Sequence, residues 1–141
     1  MCLLVHPHNV TRPVVSNFWK VVCKGSRLPP RYNFYSPFMS YKKGEIVKAD
    51  KIVEPVIRSL GKDCIKQVHG GAIHVCVEKS KAEGYARMLE WEAKGHRTSW
   101  LSDRVNENTE FEILRVKCLP KHFIAWGLDG DACYTQVEVL D

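Results

Sequence analysis

The chain predicts a single α+β domain, a mostly antiparallel sheet carrying one main central helix over residues about 80–94. Three observations lead there. A length of 141 residues and a mass of 16.2 kDa fit one compact domain. A hydrophobic fraction of 45% supplies enough apolar surface to offset chain entropy, which excludes disorder as a description of the whole. Most apolar runs are short, β-branched or aromatic and bounded by Gly or Pro, whereas a helical period recurs clearly in one stretch only. Nine Gly and seven Pro exclude a collagen-like or low-complexity chain.

Residues 1–17 read as an irregular N-terminal segment, because His6-Pro7-His8-Asn9 and Arg12-Pro13 interrupt any regular element. The domain then runs over 18–141. Phe18 to Cys23 is aromatic and β-branched, a strand ended by Lys24-Gly25-Ser26-Arg27. Leu28-Pro29-Pro30 forces an extended exit, and the aromatic-rich 31–41 reads as a long loop over the core. Tyr41 to Lys48 is a turn at Gly44 followed by a short strand. Ile52, Val53, Val56, Ile57 and Leu60 recur at helical spacing, so 51–68 allows one or two helical turns despite Pro55.

After Gly70-Gly71, Ala72 to Val77 is the clearest strand. Ser80 with Glu83 forms a capping-box pattern for the following helix, whose apolar face is Ala82, Tyr85, Ala86, Leu89 and Ala93 and whose end is Gly95. Trp100–Asn108 is polar and loop-like, and Phe111–Cys118 alternates as a strand until Leu119-Pro120 breaks it. His122–Trp126 fits either a strand or a helical turn. Leu128–Asp131 is a turn and Ala132–Leu140 the last strand.

The net charge of +5 is uneven. Residues 1–70 hold twelve Lys or Arg against four acids, and residues 71–141 hold nine against twelve. A basic half attracts phosphate, nucleic acid or acidic protein surfaces. No run of basic residues exceeds two and no helix-turn-helix or zinc-finger pattern occurs, so sequence-specific DNA reading is not expected.

Six cysteines are scattered without a C-x-x-C pair, several of them inside apolar runs, and the N-terminus lacks a signal-peptide pattern. Reduced thiols in a cytoplasmic protein are the expectation. No stretch approaches the roughly 20 apolar residues that span a bilayer. His6 with His8, and His69 with His74, lack the second ligand pair of a zinc site, so no metal is expected.

G-x-S-x-G, Walker and H-E-x-x-H patterns do not occur. Cys23, beside Lys24 and Arg27, is the cysteine with local positive charge that a nucleophile needs. Basic and aromatic residues interleave in Arg27-Leu-Pro-Pro-Arg31-Tyr32-Asn-Phe34-Tyr35, which could stack bases and hold phosphates.

Two segments carry a family resemblance. Trp19-Lys-Val-Val-Cys-Lys24-Gly25-Ser26-Arg27 and Gly70-Gly71-Ala-Ile-His74-Val-Cys-Val-Glu-Lys-Ser80-Lys-Ala82-Glu-Gly-Tyr85-Ala86 together resemble the ADP-ribosyltransferase superfamily. The first is similar to its opening strand and nicotinamide-holding turn, the second to its strand-then-helix element. The resemblance implies cofactor-binding roles for Lys24, Gly25, Ser26, His74 and Tyr85, with NAD as the cofactor if transfer occurs. It implies a late-strand glutamate, Glu112 or Glu138, that stabilises an oxocarbenium-like transition state. Lys24 stands where the family has His or Arg, and His74 where it has Tyr. The pattern Tyr41-Lys-Lys-Gly44 to Ala82-x-x-Tyr85 also resembles small bacteriophage and bacterial proteins, which implies no activity.

The expected function is therefore a non-enzymatic or weakly enzymatic module that binds an anionic partner (a nucleotide, nucleic acid or acidic protein) through Arg27, Arg31, Tyr32, Lys42 and Lys43. A phage protein that interferes with a host enzyme or defence complex would fit. An active NAD-dependent ADP-ribosyltransferase and an RNA-binding module are the alternatives.

Overall fold

In the computed structural model the described residues are 3–5, 11–24, 31–33, 39–49, 56–60, 65–69, 72–95, 105–127 and 130–141, the side chains of 3–5, 56–60 and 65–69 excepted. The strands are β1 (Leu3–Val5), β2 (Ser16–Lys24), β3 (Arg31–Tyr32), β4 (Ile46–Lys48), β5 (Val56–Leu60), β6 (Ile65–His69), β7 (Ile73–Cys76), β8 (Glu110–Cys118), β9 (Phe123–Trp126), β10 (Asp131–Tyr134) and β11 (Gln136–Val139). Helix α1 spans Lys79–Ala93, and Pro120–His122 forms a 3-10 turn. The protein is α+β, as the sequence predicts, with one α-helix and an eight-stranded antiparallel sheet among the described residues.

The main sheet runs β4-β11-β8-β2-β7-β10-β9, with β3 paired to β2. Its centre is the long β2–β8 ladder, from Ser16↔Cys118 to Lys24↔Glu110. The order forces the sheet to roll. Strands β11 and β10 stand four positions apart along the ladder, about 19 Å in a flat sheet at 4.8 Å per strand. Only Thr135 separates them, and the two Cα steps across it span at most about 7 Å. Thr135 is the corner: its N–H donates to the His122 carbonyl, next to β9, and its carbonyl accepts from Ala49, next to β4. A register shift between Cys133 and Tyr134 bends the chain just before it.

The roll encloses the main core. Phe18 and Val22 from β2, Val47 from β4, Ile73 and Val75 from β7, Leu114 and Val116 from β8 and Val137 and Val139 from β11 meet there with Tyr41 and Tyr134. Helix α1 covers the outside, where Ala82, Ala86 and Leu89 pack on Val21, Cys23 and Val105. Strands β1, β6 and β5 form a separate three-stranded sheet.

Several expectations are corrected. Leu3–Val5 is a strand, although 1–17 reads as irregular; the edge of β6 recruits a three-residue apolar run. Residues 56–60 and 65–69 are strands rather than helical turns, because pairing between them overrides a helical period that β-branched residues support poorly. Residues 51–55 lie outside the described residues. Within the expected 31–41 loop, Arg31 and Tyr32 pair with β2, and Tyr32 bridges Ser40.

The capping box does not form. The helix starts one residue after Glu78, its N-cap, which makes no side-chain cap, so Ser80 already lies inside the first turn. Gly95 does end α1, with φ +126. The residues of the 122–126 stretch divide between the 3-10 turn and β9, and the expected last strand is two, β10 and β11.

The turn before β4 depends on one glycine. Gly44 has φ +81 with open space around it, and the Glu45 N–H donates to the Lys42 carbonyl across the turn. Gly44→Ala is expected to cost about 1–2 kcal/mol, the penalty of a left-handed conformation for an L side chain. Urea denaturation measures it; a loss near zero would show that the turn relaxes to another conformation.

Candidate functional site

The described residues singled out in the sequence are spread over several elements, with Lys24 on β2, Arg31 and Tyr32 on β3, His74 on β7, Tyr85 on α1, Glu112 on β8, Glu138 on β11, and Lys42 and Lys43 before β4. Gly25, Ser26 and Arg27 lie outside the described residues. Strands β2 and β7 are neighbours, joined by a single pair, Trp19↔Cys76. Continued, that register would set Cys23 opposite Ala72, bringing together the two segments that carry the superfamily resemblance. The edge of β2 at Cys23 and Lys24 is instead taken by β3, through Cys23↔Tyr32 and Lys24↔Arg31.

Lys24 is exposed and lies 3.8 Å from Glu110. Arg31, expected to bind a partner, is turned inward. Its guanidinium donates Nε and Nη2 to the two Glu112 carboxylate oxygens at 3.2 Å each, and Nη1 to the Asp141 carbonyl. Glu112, one of the two candidate catalytic carboxylates, is thus held in a bidentate ion pair. Alternation along β8 puts it on the face opposite Phe111 and Ile113, which pack beneath α1. Glu138, the other candidate, sits on β11 between Ile46 and Lys117.

His74 lies on β7 opposite Cys133. Burial first, and the Lys20 charge second, push its imidazole down to about 3. Its Nδ1 is buried without a hydrogen-bond partner among the described residues. Tyr85 is half-buried on α1 and packs, with Tyr32, in the apolar layer between helix and sheet. His74 and Glu112 therefore sit on opposite faces of the sheet.

Cys23 is fully buried, and burial pushes its thiol up to about 12 despite the nearby Lys20 ammonium, so it is not a ready thiolate. The four described cysteines, Cys23, Cys76, Cys118 and Cys133, are free. Among the described residues no cluster of three or more His, Cys, Asp or Glu is placed to hold a metal ion. No helix of these residues is long and apolar enough to cross a membrane.

Lys42, Lys43 and Lys48 are exposed on β4 and the turn that leads into it. None makes an ion pair among the described residues. Strand β4 is an end of the main sheet. The lysine charges reach outward: Lys43 helps hold the Asp141 carboxyl down, after the dominant Arg115 contacts, and Lys48 helps hold the His122 imidazole down, after burial and Lys121.

Sequence reasoning missed Lys20. It is only 4% exposed. The usable signal was its apolar setting, since Phe18, Trp19, Val21 and Val22 leave neither face of the strand polar.

Comparison with family models, with curated proteins and with solved structures returned no match.

Proposed function

We propose that the protein is a non-enzymatic, cytoplasmic module that binds an anionic partner along the β4 edge of its rolled sheet. The supporting observation is the division of its cations. Arg31 and Lys24 are matched by acids, whereas Lys42, Lys43 and Lys48 are exposed together without an ion pair among the described residues. Lysines so placed raise the local concentration of phosphate or carboxylate groups. Binding is favoured over ADP-ribosyl transfer because Glu112 is engaged by Arg31, and because His74 lies across the sheet from it.

The test titrates the full chain with single-stranded RNA, NAD and polyglutamate at two salt concentrations. Binding that weakens with salt, and at least about tenfold in Lys42→Gln/Lys43→Gln/Lys48→Gln, is the expected result. Unchanged affinity in that variant would leave the lysines as guards that keep an edge strand from pairing with other chains. Label transfer from NAD to a host protein, lost in Glu112→Ala or Glu138→Ala, would establish the transferase alternative instead.

A further inference from the structure

The β4 edge offers a backbone as well as a charge. Among the described residues β4 pairs on one side only, with β11, through Gln136↔Lys48, Val137↔Val47 and Glu138↔Ile46. The Val139 N–H donates to the Glu45 carbonyl, and the Ala49 N–H donates to the Thr135 carbonyl. Positions 45 and 49 thus direct these backbone groups at β11, and in an antiparallel ladder that direction alternates along the strand. Val47 shares it. The N–H and carbonyl groups of Ile46 and Lys48 therefore point away from β11, to the side where no described strand lies.

Side chains alternate as well. Val47 enters the core, whereas Ile46, 58% exposed, and Lys48, also exposed, share the outer face. An edge only guarded against pairing would carry charge at both outward positions. Ile46 breaks that pattern and supplies an apolar contact instead. A partner that fits must offer hydrogen-bond donors and acceptors at strand spacing. A phosphate backbone carries acceptors alone, so it matches the two outward N–H groups but not the two carbonyls. A second copy of β4 would crowd two sets of Lys42, Lys43 and Lys48 at one seam. Glu138 lies beside Ile46 on the outer face, so an acidic partner residue belongs opposite Lys48 and an apolar one opposite Ile46.

We propose that β4 takes an acidic, extended segment of another protein as an added antiparallel strand, with an acid opposite Lys48 and an apolar residue two positions later opposite Ile46. Main-chain hydrogen bonds to Ile46 and Lys48 hold the segment in register. Lys48 pairs with its acid, and Ile46 packs on its apolar side chain. Lys42 and Lys43, in the turn that leads into β4, attract acids further along it. Antiparallel addition is the more stable arrangement per residue. The inference rests on the anion-binding reading for its lysines and names the class of partner that this edge accepts.

The test titrates the full chain, by calorimetry, with the end-blocked peptide Thr-Glu-Thr-Val-Thr-Glu-Thr and with two N-methylated forms of unchanged charge. Methylating the Glu and Val nitrogens, which face β4, is expected to weaken binding at least about tenfold, whereas methylating the last three Thr nitrogens, which face away, should change it less than about twofold. Bound unmodified peptide should also slow amide exchange at Ile46 and Lys48, read by NMR. Equal affinity for the three peptides, equal loss in both methylated forms, or unprotected Ile46 and Lys48 amides would overturn the added strand and leave an anion-binding edge standing. So would binding of RNA without binding of the peptide. Peptide affinity unchanged in Lys42→Gln/Lys43→Gln/Lys48→Gln would sink the acidic partner together with the anion-binding reading. A dimer in sedimentation that protects the same amides without peptide would give the edge to a second copy and overturn the proposal.

Discussion

Ile73→Ala is expected to lower the free energy of unfolding by about 2–5 kcal/mol, the range for truncating a buried aliphatic side chain. Ile73 is fully buried in β7 and pairs across the ladder with Tyr134, itself fully buried. Its ladder neighbours come from β10, paired along all of β7, while β2 joins the other edge at Trp19↔Cys76. The roll cannot collapse around a missing side chain as a single helix can shift, which favours the upper half of the range. Urea denaturation at neutral pH measures the change as a lower midpoint at unchanged slope. A loss below about 0.5 kcal/mol would place Ile73 outside the packed interior.

Acid is the second large lever. Unfolded, the His74 imidazole takes up a proton near 6.5; folded, it resists down to about 3 because burial and the Lys20 charge oppose a second cation there. Between those values the unfolded chain binds more protons, so stability is complete above pH 6.5 and falls as pH drops. The expected loss by pH 4 is about 3 kcal/mol, from roughly 2.5 pH units at about 1.4 kcal/mol each.

Two other groups act with the same sign. Burial and the lysines Lys121 and Lys48 lower the His122 imidazole, and Arg115 holds the Asp141 carboxyl below its usual range, where it matters only in stronger acid. His74→Gln separates them, because it removes one imidazole and leaves the rest. Urea midpoints from pH 7 to pH 4 should fall far less in His74→Gln than in the unmutated protein. Parallel profiles would show that folded His74 takes up its proton near 6.5, as the unfolded chain does.

These two residues also mark what a sequence can and cannot convey. Ile73 sits in a run whose alternation is visible locally, and the strand reads directly as a half-buried element. The same holds for β8 and for α1, where Ala82, Ala86 and Leu89 are the buried positions of the predicted apolar face. His74 was legible as a candidate, but its charge state was not, since that depends first on burial by the folded sheet and second on the Lys20 charge from a strand more than fifty residues earlier. Arg31 illustrates the same limit: its basic side chain suggests an anionic partner, whereas the partner is Glu112, 81 positions away in the chain.

Local pattern and chain chemistry settled which stretches prefer strand or helix, where Gly44 and Gly95 must turn the backbone, and that the whole is α+β. Folding in three dimensions decided the division of β10 from β11 at Thr135, the recruitment of β3 to β2, and the burial of Lys20. The reason is physical. Periodicity records which face of an element seeks apolar surroundings, but it carries no information on which distant strand supplies them. When the sheet rolls and α1 covers its outside, both faces of β2 become interior, and Lys20, on the face of Phe18 and Val22, is enclosed with them.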